Sequence, residues 1–276
     1  MNIKQNPFSV YDFLGYFTPG AIFLYVITFG YAHVNEDISP QDYVTENLGF
    51  DNAEIYIPFI LVSYAIGHLL SFLSSISIES FSIWAHGYPS KCLLKMQTDG
   101  YFQTEGSKTL KIIIGLFLLP ISVYELILGH CCGLKSFYMK PLDRVLRVVI
   151  VKKINLLLIE HGGVKQPGNF GSPEKTDFFR YAYHYAVEFA PNHYPKMQNY
   201  VALFGFLRTL AFLSILIFWG LVFHVLNEKC SIFDSIVWLI SSGTIGFIFY
   251  LSFLKFYRRF SLEALMALAV SYKETK

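Results

Sequence analysis

Four long apolar runs dominate the chain, at about Tyr11–Ala32, Ile55–Ile78, Tyr200–Leu226 and Phe233–Phe253. Each supplies the roughly 20 mostly apolar residues that an α-helix needs to cross a hydrocarbon core. Each therefore predicts a transmembrane helix. A fifth run, about Leu110–Leu128, is interrupted: its centre, IIIGLFLLPISVYELIL, holds Pro120 and Glu125, and Lys108 and Lys111 bound it. Pro120 lacks a backbone N–H and crowds the turn before it, so a kink is expected there.

Charge placement sets the expected topology. No Lys or Arg occurs between Lys4 and Lys91, while the loop after the first run carries Glu36, Asp37, Asp42, Glu46, Asp51 and Glu54. Basic residues then crowd in from Lys91 to Lys196, with Lys95, Arg144, Arg147, Lys152, Lys153 and Arg180 among them, and the tail adds Lys255, Arg258, Arg259, Lys273 and Lys276. Basic residues beside spans favour the cytoplasmic side. Four crossings put the N-terminus, the basic middle and the tail inside together; a fifth would carry basic segments outside. Parity thus makes 110–128 a re-entrant or interfacial segment, or the apolar helix of a cytoplasmic subdomain. Irregular backbone at such depth is tolerated where protein or water covers it.

The expected fold is an all-α membrane protein with four transmembrane helices and a central cytoplasmic helical region. Its parts are an N-terminal pair of spans with an acidic external loop (1–79), a basic cytoplasmic region (80–199), and a C-terminal pair of spans with a basic tail (200–276). One Lys precedes the first apolar run and no small-residue cleavage site follows it, so that run reads as a retained span.

Composition agrees with this reading. Hydrophobic residues make up 54% and charged residues only 15%, well below the charged content of a soluble domain. The abundant Phe and Tyr suit membrane–water interfaces. Cys92, Cys131, Cys132 and Cys230 show neither CxxC spacing nor the pattern of a secreted disulfide framework. Three of them fall in the expected cytoplasmic region, where thiols stay reduced, so no disulfide is expected.

In the middle region, PLDRVLRVVIVKKINLLLIE (Pro141 to Glu160) interleaves apolar and basic residues. It suits a helix lying on an anionic leaflet, or one packed on a subdomain core. The Gly/Pro-rich stretch His161 to Lys175 reads as a loop without a phosphate-binding GxxxxGK motif. An aromatic helix follows over Asp177 to Ala190.

Several polar or small residues fall within or beside the spans. Ser63, Gly67, Ser71 and Ser75 recur every four residues toward Glu79, a spacing that lets helices approach closely; a polar path lining a pore is the sharper alternative. His68 lies beside this stripe, as a proton carrier, a pH-sensitive contact or a neutral hydrogen-bonded group. Gly246 belongs to a second small-residue surface with Ser241, Ser242 and Gly243. Arg208 lies about two turns inside its span, able to snorkel or to pair with Asp12 or Glu79. The candidate intramembrane functional residues are therefore His68, Glu79, Arg208 and Asp12, and the candidate packing residues are Gly67, Ser71, Ser75 and Gly246.

Motifs for catalysis are missing. There is no HExxH, and the groups His184/Glu188/His193 and His130/Cys131/Cys132 lack the convergent spacing of a zinc site. No GxSxG elbow is present, and the basic residues that might suggest nucleic-acid binding are explained by topology. No cofactor, metal or nucleic acid is expected.

Four segments carry a likeness: FLGYFTPGAIFLY (Phe13 to Tyr25), SYAIGHLLSFLSS (Ser63 to Ser75), FGFLRTLAF (Phe204 to Phe212) and the closing FYRRFSLEALMAL. They resemble a group of bacterial multi-pass inner-membrane proteins of unassigned function, some encoded beside anti-phage defence components. The resemblance implies a bacterial inner-membrane location and a defence setting, but no catalytic residue. The leading expectation is a non-enzymatic membrane component that anchors or senses through a cytoplasmic protein partner, with homo-oligomerisation also considered. The alternatives are a small oligomeric channel and a membrane-embedded enzyme acting on lipid or peptide.

Overall fold

The computed structural model describes residues 12–35, 53–96, 100–104, 106–133, 138–165, 177–227 and 232–273. The acidic loop 36–52, most of the Gly/Pro-rich stretch after Lys165, and Cys230 lie outside them. Among the described residues there is no β-strand.

A π-helical turn at Phe13–Phe17 leads into α1 (Thr18–Asn35). Helix α2 (Ala53–Ser74) continues through a π-helical turn, Ser75–Glu79, into α3 (Ser80–His86). The short α4 (Pro89–Leu93) follows, then α5 (Lys108–Phe117), α6 (Leu119–Tyr124) and a third π-helical turn, Glu125–Cys131. The remaining helices are α7 (Arg144–Glu160), α8 (Phe178–Phe189), α9 (Tyr194–Asn227) and α10 (Ile232–Ser271).

Four stretches are long and apolar enough to cross a membrane: Phe13–Gly30, Tyr56–Leu93, Tyr194–Asn227 and Ile236–Ser271. They overlap the four apolar runs of the sequence, the second and fourth running on to Leu93 and Ser271. Large side chains on them, including Ile57, Leu61, Phe72, Phe223 and Trp238, are exposed. In water such patches would aggregate, whereas in lipid they form the natural outer face.

The interrupted fifth run forms a sharply bent pair. Residues Lys108–Phe117 and Leu119–Gly129 meet at 89°, the geometry of a broken span or a re-entrant loop. The cause is local: Pro120 stands in the first turn of α6, where its missing N–H is tolerated, and it cannot continue α5. The Ser122 hydroxyl donates to the carbonyls of Gly115 at 3.2 Å and Leu118 at 3.1 Å, tying α6 back to the end of α5, while the Leu118 carbonyl also accepts from Ser122 N at 2.9 Å.

The chain divides into two compact units, Met1–Ile76 with Gly205–Phe249, and Ser77–Phe204 with Tyr250–Lys276. In the first, α1 and α2 approach backbone to backbone. A Cβ at Gly20 would lie 1.8 Å from the Ser63 carbonyl oxygen, and one at Gly67 would lie 1.8 Å from that of Tyr16. Only glycine fits at either place. On α10, Gly246 faces Ser214, Ile215 and Ala211 of α9, where an added Cβ would sit 3.2 Å from the Ser214 Cβ.

The second unit has its own apolar core. Leu93 and Leu94, Ile150, Ile154 and Leu157 of α7, Phe178 and Ala182 of α8, and Leu265, Leu268 and Tyr272 from the C-terminal stretch pack into one cluster. A neighbouring cluster joins Ala186, Ala190 and Met197 to Ala264 and Ala267. Asp143 caps α7 by accepting from Leu146 N at 3.0 Å, and Asp177 caps α8 by accepting from Arg180 N at 3.3 Å, the expected way to satisfy first-turn amides. Of the two placements expected for α7, the core contact is present, through Ile150, Ile154 and Leu157. The same helix also leaves Val145, Val148 and Val149 exposed beside Arg144 and Lys152.

Candidate functional site

The most unusual chemistry in the fold is a buried polar cluster in the second unit, centred on Glu125. This carboxylate is 6% exposed and opens the π-helical turn after α6; such turns often occur at functional positions. Gly129, one turn on, makes room for it, because a Cβ there would lie 2.8 Å from Glu125 Oε1 and 3.2 Å from the Tyr138 hydroxyl. The Tyr138 hydroxyl donates to Glu125 Oε1 at 2.6 Å, the short distance of a charge-assisted bond. His86, closing α3 and 4% exposed, brings Nε2 to 3.5 Å from the same oxygen, and its ring meets that of Tyr138 edge-on with centroids 5.8 Å apart. Tyr250, fully buried on α10, packs edge-on against Phe81 at 6.1 Å, within electrostatic range of Glu125 and Tyr138.

Burial first, then the hydrogen bond to Glu125 and the charge of that carboxylate, push the Tyr138 hydroxyl far above the usual tyrosine range. Tyr138 therefore stays a proton donor. Carboxylate, imidazole and phenol together can hold and exchange a proton, and on a protonated His86 the pair with Glu125 becomes an ion pair.

A small cavity beside this cluster is lined by Ser82, His86, Cys92, Met139 and Arg258 among others, with room of about 10 Å³ for a water-sized sphere. That is the space of about one water, far too little for a lipid or peptide substrate. The Cys92 thiol donates to the Met139 carbonyl at 3.3 Å, and Arg258 donates to the Lys140 carbonyl through Nη2 at 2.6 Å. No group of three or more His, Cys, Asp or Glu able to hold a metal ion occurs among the described residues.

A buried cation lies nearby in sequence. Lys111 is fully buried; its ammonium donates to the carbonyl and the hydroxyl of Thr104 and lies 5.6 Å from the centre of the Trp84 ring. The Tyr101 hydroxyl donates back to the Lys111 carbonyl at 2.8 Å. The loop before α5 is thus folded over a lysine that sequence alone marks as the border of an apolar run.

The residues singled out from sequence fall mainly in the first unit. His68 stacks on Tyr16 with centroids 3.8 Å apart and meets Tyr64 edge-on at 4.6 Å; its side chain is exposed at the unit surface. Arg208 is buried, donating through Nε to the Ser74 hydroxyl at 3.1 Å and through Nη2 to the Ser71 carbonyl at 3.3 Å. Gly67 sits at the α1–α2 crossing, and Ser75 turns back on its own helix to the Phe72 carbonyl at 2.7 Å. Asp12 immediately precedes the first π-helical turn, and Glu79 closes the second. Further along, His193 meets Glu263 of α10 at 2.8 Å instead of the His184/Glu188 face, and Lys196 reaches the other Glu263 oxygen at 2.7 Å. The side chains of His130 and Cys131 lie outside the described set.

Neither Glu125 nor His86 stands among the candidate residues of the sequence, where Glu125 figures only as a charge that interrupts the fifth apolar run. The only local signal was an acid and a glycine four residues apart inside an apolar run.

No known protein family, curated protein or solved structure matches the chain. What its own fold defines is an all-helical, multi-pass membrane protein.

Proposed function

We propose that the protein is a non-enzymatic component of the bacterial inner membrane, a four-span anchor whose basic helical unit receives a cytoplasmic protein partner. The observation that supports this reading is the separate core of the second unit, in which α7 and α8 pack with the C-terminal stretch. Anchoring alone asks for apolar helices and no such core. The basic residues on this unit favour the cytoplasmic side, and α7 offers Arg144, Val145, Val148 and Lys152 on its exposed face. An apolar strip flanked by cations suits an amphipathic, acidic partner segment. The resemblance of the four sequence segments supports an anti-phage setting for that partnership.

The test places a photo-crosslinking residue at Val148 of the full chain in its native membrane. A discrete protein adduct that is lost with Lys152→Glu, while membrane insertion is unchanged, is the expected result. Adducts with lipid alone would sink the reading. An adduct with a second copy of this chain would move it to the homo-oligomeric channel.

A further inference from the structure

Besides the small cavity at His86, the second unit carries a groove of about 490 Å³ lined by residues from three places in the chain. Tyr88, Ser90 and Lys91 come from α4 and the residue before it; Asp177, Phe179, Arg180 and Tyr183 from the start of α8; Tyr257 and Phe260 from α10. This volume lies within the range of small-molecule sites, and its lining combines aromatic rings with cations.

Three of the rings meet around Phe260. The Phe260 ring lies 5.9 Å from that of Phe179 and 5.5 Å from that of Tyr183. Two cations also line the groove. Lys91 Nζ stands 5.7 Å from the centre of the Tyr88 ring. Arg180 engages Asp177 through Nε at 3.1 Å; a guanidinium has five N–H donors in a fork, so its outer edge keeps donors for a further anion. The first turn of α8 also lines the groove, and its cap, Asp177, already takes the Arg180 N–H at 3.3 Å. Ser90 is 5% exposed and lines the groove, and among the described residues its hydroxyl meets no hydrogen-bond partner. Among the described residues, Asp177 is the one carboxylate in the lining, and Arg180 already holds it.

We propose that this groove binds a phosphate ester attached to an apolar group. Lys91, Arg180 and the Ser90 hydroxyl take the phosphate, and the rings of Phe179, Tyr183 and Phe260 take the apolar part. This site is separate from the exposed α7 face, and its occupancy does not depend on a protein partner. Two sources supply such chemistry: the headgroup of an anionic phospholipid, or a soluble phosphorylated compound.

The experiment uses the full chain in detergent micelles with two probes, short-chain phosphatidylglycerol and glycerol phosphate, and with short-chain phosphatidylcholine as the comparison lipid. Binding is read by calorimetry. Arg180→Gln, whose side chain is 78% exposed in the parent and leaves the core untouched, is expected to weaken phosphatidylglycerol binding about ten-fold, the loss of one charge-assisted contact. Lys91→Gln with Arg180→Gln is expected to weaken it further. The control pair Lys165→Gln with Lys273→Gln, both exposed and outside the groove lining, is expected to change it by less than about two-fold, as for cations outside the site. Glycerol phosphate that displaces the lipid at equal concentration assigns the groove to soluble phosphate esters; displacement only by the lipid assigns it to the headgroup. Equal weakening by the groove and control pairs, wild-type binding by the groove pair, or no preference of the parent for phosphatidylglycerol over phosphatidylcholine would each overturn the proposal.

Discussion

The bond between Tyr138 and Glu125 gives the sharpest test of the buried cluster. Tyr138→Phe keeps the ring and removes a hydroxyl that donates to a buried carboxylate at 2.6 Å. Hydrogen bonds to charged groups contribute about 1.5–3 kcal/mol, and in a chain of this size each kcal/mol shifts the melting temperature by about 2–4 °C. The expected drop is therefore about 3–12 °C for the solubilised full chain. Glu125→Gln removes the charge that makes the bond strong, so adding Tyr138→Phe to Glu125→Gln has a smaller further effect. The two changes should couple by about 1–3 kcal/mol in a double-mutant cycle. An additive cycle, within about 0.5 kcal/mol, would refute the account.

The same contact sets a pH dependence. The folded chain holds the Tyr138 proton above the ordinary value of 10.0 while the unfolded chain releases it. Its contribution is complete below that pH and declines as pH rises above it, by about 1.4 kcal/mol per unit. Tyr138→Phe abolishes this part of the alkaline loss.

Two further changes probe the first unit. Gly67→Ala puts a Cβ 1.8 Å from the Tyr16 carbonyl oxygen, whereas Gly15→Ala meets nothing within 4 Å; the first should destabilise by about 1–3 kcal/mol and the second by far less, and equal melting temperatures would remove the close-crossing argument. Arg208→Ala strips the donors from Ser74 and Ser71 and should lower stability by about 1.5–3 kcal/mol, with Arg208→Lys recovering only part because one ammonium cannot reproduce the planar fork. In the Arg208→Ala background, Ser74→Ala should add little to the loss in thermal unfolding.

The spans were legible because lipid asks one thing of a helix, about 20 apolar residues in a row, and that demand is written locally. The bend near Pro120 was legible for the same reason, since the ring acts on its own turn. Glu125 shows where local reading stops. Inside an apolar run it counts as a charge to be kept out of the membrane, yet its carboxylate is held by Tyr138, 13 residues on, and by His86 from another helix. Nothing in local spacing encodes a meeting between three separate elements. Gly20 escaped for a related reason. The four-residue stripe drew attention to Gly67, but the glycine that mirrors it across the α1–α2 crossing stands in a different helix, with no stripe of its own. Lys111 read as the border of an apolar run; its burial depends on Thr104, Tyr101 and Trp84 folding over it.

The core of the second unit also has a consequence for how the protein is made. Leu93 and Leu94 leave the ribosome first, and α7 and α8 follow, but the cluster is completed only when Leu265, Leu268 and Tyr272 emerge, well after α8. Chains emerge at about 5–20 residues per second, so for several seconds the apolar faces of α7 and α8 wait uncovered. A nonsense mutation shortly before residue 265 would make that waiting state permanent, leaving inserted spans and an open basic unit for membrane proteases to clear. Late closure of this kind makes the soundness of the second unit depend on α10 having been translated to its end.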